Sequence, residues 1–169
     1  MDDIEVRPAL PEEWAAVGGL RWDYLQELEG EADASRDSFA AQFAAWAATH
    51  TSHQCFVAVS PGRVLGMAWL AVTDRVPSAR KFERASGDLQ CAYVAPDQRN
   101  RGIGGQLIEA VLARAAELGL ERVTVHSSPR AVAVYERHGF TSDDDRLLHA
   151  FIAPTDIFAA RKAGPPAVR

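Results

Sequence analysis

Residues 96–105 read Pro96-Asp97-Gln98-Arg99-Asn100-Arg101-Gly102-Ile103-Gly104-Gly105, with two arginines and three glycines between a strand-like and a helix-like run. A helix N-terminus leaves its first backbone N–H groups without intrahelical partners and carries about half a positive charge. Glycines let a ligand approach that backbone closely. Such a turn suits a polyanion, for example a pyrophosphate. Two nucleotide motifs are excluded by residue identity. A Walker A loop needs Gly-Lys-Ser/Thr, where Gly104-Gly105-Gln106 stands, and a G-x-G-x-x-G fingerprint needs glycine or alanine at Leu107. On spacing alone, a plain glycine-rich helix start is the alternative.

The elements around this turn follow from periodicity. Asp88 to Ala95 reads as a strand stopped by Pro96, and Gly102 to Leu118 as a helix. Ile103, Leu107, Val111 and Leu118 share one face of that helix, joined by Ile108, Leu112 and Ala115, and Gly119 ends it. Arg122 to His126 is a short strand, followed by a helix from Pro129 to about His138. Upstream, Ile4 to Arg7 alternates like a strand. A helix then carries Trp14, Val17, Leu20, Arg21, Tyr24, Leu25 and Leu28, weakened or kinked at Gly18-Gly19. Glu29 to Asp33 is a loop, and Ser35 or Asp37 caps a second helix with Phe39, Phe43, Trp46 and Ala47 on one face. His53 to Ser60 and Val64 to Val72 form a hairpin about Pro61-Gly62-Arg63. Asp74 to Ser86 is a long loop; Phe140 onward, Asp143-Asp144-Asp145 and Leu147 to Ala153 give strand, turn and strand. The parallel crossover over 88–126 and the hairpins imply an α/β fold, a mixed sheet with helices on both faces.

Composition bounds the function. The 169 residues suit one domain, and 47% hydrophobic with 24% charged residues excludes general disorder. A net charge of −5 argues against broad binding to a nucleic-acid backbone. No run approaches ~20 apolar residues, so no membrane span is expected. Met1 to Glu5 is acidic and unlike a signal peptide, and the location expected is cytoplasmic. Cys55 and Cys91 lie in apolar runs and read as core; no zinc pattern or disulfide framework is present, and no metal is expected. The four tryptophans read as mostly core, Trp22 having polar neighbours.

Arg99-Asn100-Arg101-Gly102-Ile103-Gly104 matches R/Q-x-x-G-x-G/A, and the chain here resembles the GCN5-related N-acetyltransferases (the GNAT family). Ala92-Tyr93-Val94-Ala95-Pro96 resembles that family's fourth strand. Ser128-Pro129-Arg130-Ala131 followed by Tyr135-Glu136-Arg137-His138-Gly139-Phe140 resembles its second signature. The resemblance is strong over about residues 88–141 and loose but compatible from residue 3. It implies a mostly antiparallel mixed sheet and one domain over 1–155, while Gly164-Pro165-Pro166 marks 156–169 as a mobile tail.

The resemblance implies acetyl transfer from acetyl-CoA, as co-substrate, to a primary amine by direct attack in a ternary complex. Backbone amides of Arg99, Asn100, Arg101, Gly102, Ile103, Gly104 and Gly105 would hold the pyrophosphate. The pantetheine arm would pair near Tyr93 and Val94, with the Val94 N–H polarising the thioester carbonyl. Ser128 stands where many members carry asparagine. Tyr135 would assist the departing thiolate. A thiol titrates near ~8.5 and a phenol near ~10, so a hydrogen bond is at least as good a role as full protonation. Glu83, Asp88, His126 or water would take the amine's proton. Asp23, Glu27, Glu29, Glu31 and Asp33, with Trp22 and Tyr24, would form an acidic mouth attracting a cationic amine, or simply a solvated helix face. The basic loop with Arg80, Lys81 and Arg84 would suit an anionic substrate or the 3′-phosphate of CoA. The expected acceptor is a small molecule, with a protein or peptide amino group, or a non-catalytic acyl-CoA sensor, as alternatives. A nucleotide-binding protein is a third reading. A homodimer is compatible with the family.

Overall fold

The computed structural model describes residues 4–30 and 34–142. The strands are β1 (Glu5–Pro8), β2 (His53–Ser60), β3 (Arg63–Asp74), β4 (Ala85–Val94) and β5 (Val123–Val125). The helices are α1 (Trp14–Glu29), α2 (Arg36–Thr49), α3 (Ile103–Glu117) and α4 (Val132–Arg137). One sheet has the order β1-β2-β3-β4-β5, antiparallel at its first three junctions and parallel between β4 and β5. The strand over Leu147–Ala153, the turn Asp143–Asp145 and the tail expected from the sequence lie outside the described residues, as do Glu31 and Asp33.

Alternation along the strands divides the core in two. Cys55, Val57, Met67, Trp69 and Tyr93 pack with Val17, Leu20 and Ala47 of α1 and α2. Phe56, Ala58, Ala68, Leu70 and Leu89 pack with Ile103, Leu107, Ile108, Val111 and Ala115 of α3. Helices on both faces explain why β2 reads as a continuous apolar run. Each fully buried side chain of this kind, such as Leu107, contributes about 1.5–3 kcal/mol.

Several elements differ from the sequence-based expectation. α1 runs unbroken through Gly18-Gly19. A β-carbon on Gly18 would stand 3.0 Å from Ala40 Cα, and one on Gly19 would meet the Arg36 guanidinium at 2.6 Å. The glycines admit α2 closely, and that packing offsets their low helix propensity. The inner line of α2 is accordingly Ala40 and Ala47, while Trp46 is 37% exposed and stacks on His50 at 4.6 Å. Leu118 lies beyond the last turn of α3 and is exposed. α4 starts three residues after Pro129, once a turn with Ala131 N donating to Ser128 O has closed. The long loop shrinks to residues 75–84, since β3 extends to Asp74 and β4 starts at Ala85. It is tied by Arg75 N to Arg84 O at 2.8 Å and by the Arg84 guanidinium on Glu121 at 2.7 and 2.9 Å.

Two irregularities open the sheet. β4 pairs with β5 only over Gly87–Leu89, opposite Val123–Val125, yet continues to Val94. Beyond Leu89 its β5-facing edge is without a strand among the described residues. Within that stretch Trp69 pairs with Gln90 and Met67 with Tyr93, so two β4 residues, Cys91 and Ala92, oppose one on β3. This is a β-bulge, and Cys91 takes a left-handed φ of 52° there.

Candidate active site

The turn after β4 starts with a short 3-10 segment, Pro96–Gln98, and passes through two left-handed residues, Asn100 at φ 63° and Gly102 at φ 77°. Asparagine tolerates this region and glycine enters it without strain. The first intrahelical bond of α3 is Gln106 N to Gly102 O, at 3.2 Å. The amides of Ile103, Gly104 and Gly105 are therefore the first-turn donors that an α-helix leaves open. A β-carbon on Gly105 would stand 3.1 Å from the His138 imidazole, so that glycine lets α4 seat against the start of α3. Arg63 pins the turn to the β2–β3 hairpin through Asp97, at 2.7 and 2.8 Å, and holds that carboxyl well below its ordinary range.

The two arginines of the turn are engaged. Arg101 donates to Gln98 Oε1. Arg99 turns back: its Nε donates to Val94 O at 3.0 Å and its Nη2 to the Glu27 carboxylate at 2.8 and 3.0 Å. The Tyr93 hydroxyl donates to the same carboxylate at 2.5 Å. Burial works against ionised Glu27, but the hydrogen bonds from Tyr93 and Arg99 hold its carboxyl below the usual range. Burial, then Glu27, pushes the Tyr93 phenol up.

Ala95 N donates to Leu65 O at 2.9 Å, so the Ala95 amide faces β3. Strand alternation gives Tyr93 the same direction and turns the Val94 amide to the opposite, open edge. Of the pair expected to meet a pantetheine arm, only Val94 has its backbone there. Tyr93 contributes a side chain directed at α1 instead.

Tyr135 of α4 is 8% exposed, with its ring 5.3 Å from Phe140. Burial pushes its phenol up to about 12, and Tyr24 and Cys91 act in the same direction, so Tyr135, Tyr24 and the bulge lie within electrostatic range of one another. The Tyr24 ring is 5.4 Å from Tyr93. Asp88 is half-buried and lies on the same sheet face as Gln90 and Trp69. It accepts from Gln90 Nε2 at 2.8 Å and from Thr124 Oγ1 at 3.4 Å. Glu83 is exposed on the 75–84 loop, where it lines a 590 Å³ cavity with Arg75, Lys81, Phe82 and Arg84. A second cavity, of 830 Å³, lies between β1 and the β2–β3 turn. Neither includes the β4–β5 cleft or the glycine turn. His126 and Ser128 are exposed after β5; the Ser128 carbonyl accepts from Ala131 N.

Of the acids expected to form an acidic mouth, the two whose side chains are described, Asp23 and Glu27, are paired within the chain. Asp23 accepts from Arg36 at 2.9 and 3.0 Å, and Glu27 is held by Tyr93 and Arg99. The role of Glu27 as a tie between α1 and the glycine turn was not evident in sequence. The available signal was its position three residues after Tyr24, which puts both on one helix face. The Cys91 bulge had no signal, because no glycine marks it.

The profile described as the Acetyltransferase (GNAT) family matches residues 14–140, and the chain belongs to that family. The mycothiol acetyltransferase of Geodermatophilus obscurus is 33% identical over 89 residues, 51% of this chain and 28% of that one. The amino-acid acetyltransferase of Salmonella typhi is 35% identical over 66 residues, 39% of this chain and 15% of that one. The chain thus spans about a quarter or less of these relatives' length. A predicted acetyltransferase with acetyl-CoA from Clostridium acetobutylicum superimposes with a TM-score of 0.71, at 18% identity, over 88% of this chain and 96% of that one. This likeness is one of fold; among the described residues of this chain the sheet is open, mixed and five-stranded. No helix among the described residues is long and apolar enough to cross a membrane.

Proposed function

We propose that the protein transfers the acetyl group of acetyl-CoA to the primary amine of a small molecule, by direct attack in a ternary complex. The observation that carries this reading is the parting of β4 from β5, which leaves the Val94 N–H without a strand partner among the described residues, between the N-terminus of α3 and the bulge that packs near Tyr135, while Arg99 takes the Val94 carbonyl. The amides from Asn100 to Gly105 suit a pyrophosphate, with Gly102 setting the direction of α3; the Arg99 amide is turned to Pro96 O at 3.4 Å instead. The pantetheine arm lies along the open edge at Val94, near Ser128. The Val94 N–H then meets the thioester oxygen as charge develops there.

The amine nitrogen forms a bond to the acetyl carbon as the carbon–sulfur bond breaks, and CoA leaves as thiolate. Asp88, oriented by Gln90 and Thr124, takes the proton the amine must lose, directly or through water. It suits this better than Glu83 or His126, which are exposed on the 75–84 loop and just past β5. Tyr135 faces a thiol titrating near ~8.5 with a phenol near 12. Complete proton transfer between them is uphill by about 5 kcal/mol. Its role is accordingly to donate a hydrogen bond to the leaving sulfur, the final proton coming from solvent. Cys55 and Cys91 are free thiols, in keeping with a reducing cytoplasm.

The test is CoA thiol release from acetyl-CoA with a panel of amines, alongside the melting temperature with acetyl-CoA. Release with at least one acceptor group is expected. Silence together with no thermal shift from acetyl-CoA would refute the assignment. Silence with a shift would favour a non-catalytic acyl-CoA sensor.

A further inference from the structure

Among the described side chains of α1, the acids are paired within the chain, and Arg130 adds a cation facing Glu27. On α1, Asp23 is taken by Arg36 and Glu27 by Arg99 and Tyr93. Arg21, one turn before Tyr24, is half-buried and lies over the Tyr24 ring, its guanidinium carbon 5.2 Å from the centroid. Among the described residues it makes neither an ion pair nor a hydrogen bond. The ring attracts the guanidinium charge, and its N–H donors are left without a hydrogen-bond acceptor among the described residues. Across the cleft, Asp88 is oriented by two neutral donors, Gln90 and Thr124, and has no cationic partner among the described residues.

Both groups lie on the sheet face that α1 covers, on either side of the bulge. Asp88 stands three residues before Cys91 on β4, on the face of Gln90 and Trp69, and Arg21 lies over Tyr24 of α1. The Tyr24 ring under Arg21 also neighbours Tyr93, two residues past Cys91 on β4. An open cation and an open carboxylate therefore flank the point where the proposed thioester and the acceptor nitrogen meet.

We infer that the acceptor is an amine that also carries an anionic group, carboxylate or phosphate, with its ammonium beside Asp88 and its anion on the guanidinium of Arg21. This rests on the acetyltransferase reading above and makes Arg21 the residue that selects the acceptor. A guanidinium fork matches a carboxylate or phosphate through two parallel hydrogen bonds, a geometry that no ammonium supplies. The acidic-mouth expectation, by contrast, favours purely cationic amines.

The experiment measures kcat/KM by thiol release for matched acceptors. One arm pairs α-, β- and ω-amino acids with their carboxamides; the other pairs aminoalkyl phosphates with the corresponding amino alcohols. The anionic member is expected to be favoured about tenfold or more in one arm, and that arm names the anion. Arg21→Met should bring the anionic-to-neutral ratio close to one, and Arg21→Glu should invert it in favour of neutral or cationic amines. The thermal shift by acetyl-CoA is the control for folding and for the cofactor site in each variant. A wild type that uses carboxamides, amino alcohols or diamines as well as the anionic members overturns this inference and leaves the acetyltransferase reading standing. So does an Arg21→Met that lowers both members equally. No thiol release with any amine overturns both.

Discussion

Along residues 94–105 the chain presents backbone. The Val94 amide faces an open edge, two residues take left-handed turns, and the first amides of α3 face outward, while Arg99 and Arg101 are occupied within the chain. Along α1 and the first half of β4 it presents side chains: Tyr24 and Asp88, set by distant Tyr93 and Thr124, and Arg21 and Gln90, set in turn by Tyr24 and Asp88. Backbone recognition suits an invariant partner such as the pyrophosphate and thioester of acetyl-CoA, since any sequence able to make the turn provides it. Side-chain recognition suits the partner that changes between family members. Tyr135 stands between the two regions, in contact with neither set of hydrogen bonds.

That division is tested hardest at Tyr135. Tyr135→Phe keeps the ring packed on Phe140 and removes only the hydroxyl. kcat is expected to fall about 100-fold, within the range for a lost donor at a developing charge, with the acetyl-CoA thermal shift retained. An unchanged kcat would remove Tyr135 from the chemistry and leave it as a packing aromatic.

Asp88→Asn on the acceptor side should lower kcat/KM for the amine about tenfold to 100-fold, with a smaller loss as pH rises and more amine is already neutral. A loss independent of pH would assign Asp88 to orientation alone.

Gly102→Val probes the backbone side. No neighbouring atom lies within 4 Å of a β-carbon there, so the cost arises from φ alone, about 1–3 kcal/mol for a branched residue in this region. KM for acetyl-CoA should rise about tenfold, while the preference among amines stays as in wild type. A changed acceptor preference with an unchanged KM for acetyl-CoA would dissolve the division into two regions.

The same contrast decides what could be read from the chain. The β2–β3 hairpin, α3 and the glycine turn were legible because their signals are local: Pro61-Gly62 between two apolar runs, a 3.6-residue apolar period, and glycines where left-handed backbone is needed. The first residues of β4, Ala85-Ser86-Gly87, were not, being weak strand formers held by pairing to β3 and β5. The bulge was hidden because Cys91 takes a glycine-like φ that its neighbours impose. Glu27 was visible only as one acid among several, since its partners lie 66 and 72 residues further on. The pairing of the α1 acids was therefore not legible in the composition. Asp23 and Glu27 are acids in the sequence but are matched by cations in the fold.

The smallest effect expected is at the seam between the regions. Glu27 joins α1 to Arg99 and Tyr93, and its carboxyl titrates below the usual range in the folded chain. A depressed folded value means that the ionised form is bound more tightly folded than unfolded. The stabilisation is then complete above the unfolded value and is lost as pH falls through the folded one. The Glu27 side chain is 39% exposed, so solvent screening limits the contribution to about 0.2–1 kcal/mol. Glu27→Gln retains the shape and can still accept from Tyr93, but lacks the charge. The melting temperature of the wild type should exceed that of Glu27→Gln by a constant margin from pH 7 to about pH 5, and the margin should shrink below about pH 4.5. A margin that persists unchanged to pH 3 would mean that the carboxylate's charge is not what ties α1 to the turn. The seam would then be held by Arg99 on Val94 O and by ring packing alone.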